Sequence, residues 1–286
     1  MDDNQYRIVA GVDSSHASTT AVEWAARAAA ARQGSLRLLH GFSPDQSSFA
    51  FGMDTDADAI RTSGERLLAR LAAHVHATQD AVPVTTSQSD DYPAKALVRA
   101  SLAADLVVLG AHGDSQLGLA SVGQTAAQVA SHASVPVTIV RGASGEQHPF
   151  GRITVGLDPS EDARRALDWA IEEAARSGAE LLALHAWQPH DADDPHLRKS
   201  DWAAYARQVE ERVQEWVEPQ RRAHSDVKVQ VQVERANPSR ALTISSRSSD
   251  LVVVGARGSG GFEGLRLGRV SRDLLGHAAC SLTIVR

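Results

Sequence analysis

Two glycine-rich stretches, each preceded by an aspartate at the end of an apolar run, carry the residues of this chain most suited to chemistry. The clearer one is "GARGSGGFEGLRLGRVS", Gly255 to Ser271, which follows "DLVVV" and places glycines at 255, 258 and 268. Glycine lacks a Cβ, so it lets a backbone approach a ligand closely; a side chain at Gly255 is expected to crowd an approaching phosphate. A turn of this kind leading into a helix points several N–H groups at an anion, and the helix dipole adds to the attraction. Asp158, just after the strand-like "RITVGL", can accept hydrogen bonds from a ribose hydroxyl or a base amine. Together they form a cradle suited to a nucleotide. It is not a Walker loop, since no G-x-x-x-x-G-K-[ST] occurs. It is not a dinucleotide fingerprint either, because "GSGGFE" has Glu263 where the last glycine belongs.

The same constellation occurs twice. Shifting the chain by 145 residues (158 − 13) lays Asp13 on Asp158, and Gly110, Gly113 and Gly123 on Gly255, Gly258 and Gly268. Trp24 falls on Trp169, His40 on His185 and Asp105 on Asp250, and "TIVR" closes both halves. Two copies this long read as a duplicated domain rather than a solenoid, whose repeats are shorter. The boundary falls in the polar "GASGEQHPFG", giving domains at 1–143 and 150–286.

Within each half, short apolar runs alternate with helical patterns: "YRIVAGV", an Ala-rich helix stopped at Gly34, "SLRLLHG", "AVPVTTSQ", "DLVVLG" and "VPVTIVR" in the first. Such alternation implies right-handed crossovers and a parallel sheet covered on both faces. The expected fold is α/β: two tandem doubly wound five-stranded parallel-sheet domains, strand order 3-2-1-4-5, related by a pseudo-two-fold. In that order strands 1 and 4 are neighbours, and ligands sit beyond their carboxyl ends. Asp13 with Gly110, and Asp158 with Gly255, then meet at one crevice in each half.

Composition narrows the function classes. The chain has 286 residues, 43% apolar and 22% charged, the balance of a globular protein. Its net charge of −6 argues against binding nucleic acid, and no apolar run is long enough to cross a membrane. Cys280 is the only cysteine, which excludes an internal disulfide and points to a cytoplasmic address. The acidic start "MDDNQYRIVAGVDSS" is no signal peptide. His190, Asp191, Asp193, Asp194 and His196 read either as a metal site or as a flexible acidic loop. His40 and His185 read as structural, Trp24 and Trp169 as core, and Asp13 and Asp158 as ligand contacts, helix caps, or both.

The spacing G-x2-G-x9-G, with Asp13 or Asp158 after the first strand, resembles the ATP-binding pattern of the universal stress protein family, and the likeness covers nearly all of both halves. It implies an ATP-binding stress-response sensor, with ATP, alone or with Mg2+, held by aspartate near the nucleoside and by the glycine loop on the phosphates. It also implies pairing of domains through their edge strands, here an internal pseudo-dimer, with a homodimer and a protein partner as further associations. In members that bind ATP a small hydroxyl residue follows the third glycine, whereas this chain has Gln124 and Arg269 there. Thr125 and Val270 come next, then Ala126 and Ser271, so the second half is expected to bind more tightly through the Ser271 hydroxyl. Arg269 either clasps a phosphate or occupies its place. Arg257, opposite His112, either neutralises phosphate or is solvated. The competing classes are a slow ATP-hydrolysing enzyme, for which no residue is assigned as base, and a ligand-free interaction module.

Overall fold

The computed structural model describes residues 5–42, 57–113, 122–142, 151–188, 202–261 and 264–286. The chain divides into two compact units, Met1–Gly145 and Glu146–Arg286. The first contains strands β1 (Arg7–Gly11), β2 (Ser35–Gly41), β3 (Val84–Ser89), β4 (Leu106–Gly110) and β5 (Val137–Val140). Its described helices are α1 (His16–Ala31), α2 (Ala57–Thr78), α3 (Pro93–Ala100) and α4 (Gln124–His132). The second contains β6 (Arg152–Leu157), β7 (Glu180–Trp187), β8 (Val229–Arg235), β9 (Leu251–Gly255) and β10 (Ser281–Val285). Its helices are α5 (Glu161–Ser177), α6 (Trp202–Ala223), α7 (Pro238–Ser245) and α8 (Arg269–His277).

Strands run β3-β2-β1-β4-β5 in the first unit and β8-β7-β6-β9-β10 in the second, the expected 3-2-1-4-5 in each. The pairings are parallel, and the register itself repeats: Arg7 lies opposite Ser35, and Arg152 opposite Glu180. Central strands are buried on both faces, as continuous apolar runs require; Leu106, Val107 and Val108 are fully buried, and so are Val252 and Val253. Each such side chain contributes about 1.5–3 kcal/mol on burial. The repeated aspartate before strand 4 has a structural task. Asp105 accepts the Arg7 N–H at 2.7 Å and Asp250 the Arg152 N–H at 2.9 Å, which locks the register between the two strands whose ends form the crevice.

Two local expectations need amendment. Helix α1 ends at Ala31, and the left-handed residue that turns the chain is Gln33, at φ 50°, not Gly34; α5 uses Gly178, at φ 67°, in the same role. Trp24 is half-buried rather than core, while Trp169 is half-buried against the core of its unit.

Candidate functional site

Parallel pairing of β6 with β9 brings Asp158 and the glycine loop together at the carboxyl end of the second sheet. The Asp158 Oδ1 accepts the Ser160 N–H at 3.0 Å and also the Ser160 hydroxyl proton, while Oδ2 accepts the Ser259 N–H at 2.8 Å. Ser160, in turn, caps helix α5 by accepting the Ala163 N–H at 3.1 Å. Asp158 is therefore not itself the cap. It orients the capping serine and ties the loop to strand β6, and Oδ2 retains capacity for one further donor. Asp13 repeats this with Ser15 and Ser18 in the first unit, while Asp114, the counterpart of Ser259, lies outside the described residues. Neither Ser15 nor Ser160 figures in the sequence reading, although a serine two residues after an aspartate and just before a helix is a recognisable cap signal.

The helix beyond the loop is treated differently. Gly268 is the N-cap of α8 and supplies no side-chain cap bond, and Gly123 stands in the same way at α4. The first helical bond in α8 runs from the Arg272 N–H to the Gly268 carbonyl at 3.1 Å. The N–H groups of Arg269, Val270 and Ser271 therefore have no partner within the helix. They open onto a cavity of about 440 Å³ whose walls include Leu157, Leu184, Leu242 and Val254 together with Gly258, Gly260 and Arg269. The cavity of the first unit, with Asp13, Gly110, Gly113, Gly123, Gln124 and Thr125 on its walls, is smaller, about 270 Å³.

Three sequence-predicted residues take roles different from those expected. Ser271 is 3% exposed, and its hydroxyl donates to the Gly255 carbonyl at 2.7 Å, with Ala256 O at 3.2 Å; it fastens α8 to β9. A hydroxyl has one proton, so the expected phosphate bond from this side chain loses its basis. Arg257 lines the cavity with its side chain 46% exposed, but its guanidinium is turned to a carboxylate of its own unit. Its Nε lies 3.0 Å from Asp162 Oδ2, which also accepts the Arg257 N–H at 3.1 Å, and Arg165 contacts the other oxygen. Gly255 is close to a helix rather than to open space: a Cβ there would stand 2.6 Å from the Asp162 carbonyl carbon. Arg269 lines the cavity, but its side chain is 82% exposed and reaches Asp273 Oδ2 only at 3.9 Å. An exposed pair of that length is worth about 0–1 kcal/mol. It stands at the rim and does not fill the pocket.

Asp162 is the residue the sequence reading missed. Burial opposes its ionisation, but the hydrogen bonds and charges of Arg257 and Arg165 outweigh that and hold its carboxyl below the usual range. The signal was present in the repeat, because Asp162 and Arg257 replace Ala17 and His112 together. A group whose folded pKa is depressed stabilises the fold above its unfolded pKa, about 3.9, and loses that contribution as pH falls through the folded value. Asp162→Asn is thus expected to cost roughly 1.5–3 kcal/mol at neutral pH. In urea unfolding the gap from wild type should narrow below pH 4; an undiminished gap there would refute the assignment.

The repeated histidines are structural fasteners. His40 Nδ1 lies 2.8 Å from the Val12 carbonyl and His185 Nδ1 2.8 Å from that of Leu157; a carbonyl only accepts, so Nδ1 carries the proton in each. The stretch with His190, Asp191, Asp193, Asp194 and His196 lies outside the described residues. Among the described residues no three His, Cys, Asp or Glu side chains gather as a metal site, and no helix is long and apolar enough to cross a membrane.

Comparison with known proteins matches both units. The model of the universal stress protein family covers residues 6–141 and 149–286. A universal stress protein of Mycolicibacterium smegmatis is 32% identical, with 99% of this chain and 97% of that protein aligned. One from Mycobacterium tuberculosis is 30% identical over 98% of this chain and 96% of its own length. Among solved structures, a universal stress protein from Archaeoglobus fulgidus superposes with a TM-score of 0.71 at 20% identity, covering 98% of this chain and 96% of that one.

Proposed function

The chain belongs to the universal stress protein family, and from that premise we propose that it binds ATP in the crevice of its second unit and acts as a cytoplasmic stress-response regulator. The observation that carries this reading is the glycine-capped N-terminus of α8, which leaves three N–H groups at a cavity that also has apolar walls. A phosphate chain suits the first and a purine base the second. Asp158, with acceptor capacity left on Oδ2, suits the ribose between them. Any Mg2+ would arrive on the phosphates. The first crevice has the same parts in a smaller space and is assigned weaker binding. Nucleotide occupancy would be the state that a protein partner reads.

The test is thermal melting with ATP and GTP, together with mass spectrometry of any nucleotide released from the purified protein. ATP at ~100 times its dissociation constant should stabilise the fold by about 2.7 kcal/mol, with GTP weaker. Melts unmoved by millimolar ATP, and no released adenine nucleotide, would overturn the proposal.

A further inference from the structure

The duplication supplies an internal comparison at the phosphate end of the crevice. Where the second unit carries Arg257, Arg269 and Arg272, the offset of 145 (257 − 112) finds His112, Gln124 and Ala127 in the first. Of the two arginines that line the second cavity, Arg257 is committed to the buried Asp162 carboxylate. Among the described residues, Arg269 is held only by a long contact to Asp273, whose Oδ2 already accepts the Ser239 hydroxyl at 2.7 Å. It can therefore swing to a ligand at little cost. It is the first residue of α8 and lines the cavity, so a swing away from Asp273 brings its guanidinium toward the unpaired N–H groups.

Resting on the nucleotide reading above, we infer that Arg269 is the residue that makes the second crevice count phosphates, selecting nucleoside triphosphates over monophosphates. One phosphate on the first-turn N–H groups satisfies the helix terminus and leaves the rim unused. Each further phosphate adds charge that extends toward the rim, where Arg269 supplies a charge-assisted bond. The nucleoside itself carries no negative charge for Arg269 to bond, so adenosine binding does not depend on this choice. Gln124, which has no charge, gives the first crevice no equivalent device.

The experiment is calorimetric titration of adenosine, AMP, ADP and ATP into the full chain. It is done in a Gly123→Asp background, where a carboxylate closes the first helix terminus to anions. Affinity should rise from AMP to ATP. Arg269→Gln, the residue the first unit carries, should weaken ATP about 10-fold while adenosine and AMP change by less than about twofold. Arg269→Lys should retain most of the rise. Equal weakening of all four ligands, or an unchanged ATP affinity, would overturn the inference and leave the nucleotide reading standing. Absence of binding by every ligand to the wild-type chain would instead strike the nucleotide reading itself.

Discussion

Replacing Gly255 by valine is expected to destabilise the second unit by roughly 3 kcal/mol or more, at the upper end of overpacking costs, with or without nucleotide. The reason is a backbone contact. An added Cβ would stand 2.6 Å from the carbonyl carbon of Asp162 and 2.8 Å from the Ala163 nitrogen, atoms of the first turn of α5 that cannot rotate aside as a side chain could. Helix α5 would have to lift from β9, taking with it the Asp162–Arg257 pair that anchors the loop. Gly110→Val should act likewise in the first unit, where an added Cβ would stand 2.8 Å from the Ala17 backbone. Urea unfolding of the ligand-free protein decides the matter. A variant as stable as wild type that nonetheless fails to bind ATP would restore the simpler idea that this glycine makes room for phosphate.

The fold was open to reading because its determinants are local and occur twice. Apolar runs of four or five residues, such as "DLVVL" and "DLVVV", separated by helical patterns, leave little choice but a parallel sheet with covered faces. The offset of the repeat then pointed to a crevice in each half, where Asp13 meets Gly110 and Asp158 meets Gly255. What escaped were the side-chain commitments within the site. Whether a serine hydroxyl faces a ligand or a carbonyl depends on the depth to which its helix packs, and Ser271 is buried against β9. Whether an arginine is available depends on a carboxylate 95 residues away, as the Arg257 bond to Asp162 shows. Pairs so distant in sequence leave no spacing to recognise. The comparison of the two halves was the only internal trace of them.

If glycine at the N-cap of α8 keeps a helix terminus open for the phosphates, Gly268→Asp should close it with little disturbance of the fold. Gly268 has φ −66° and ψ 168°, the extended geometry in which an N-cap residue turns its side chain back onto the first-turn N–H groups. A Cβ there would meet its nearest neighbours, Ala256 O, Arg257 Cα and Gly258 N, at 3.4 Å, an ordinary contact. The introduced carboxylate would therefore cap Val270 and Ser271, occupy the place of a phosphate, and repel any that approached. Exchange of glycine for aspartate at such a cap is worth only a few tenths of a kcal/mol in favour of the folded state. Loss of two or more charge-assisted bonds, at about 1.5–3 kcal/mol each, should weaken nucleotide affinity by more than about 100-fold. The decisive measurement is ATP titration by calorimetry into wild type and Gly268→Asp, with the ligand-free melting temperature of each recorded alongside. The expected result is an unchanged or slightly higher melting temperature with the tight site gone; a Gly268→Asp protein that is folded and binds ATP as wild type does would show that the phosphates do not sit on this helix terminus.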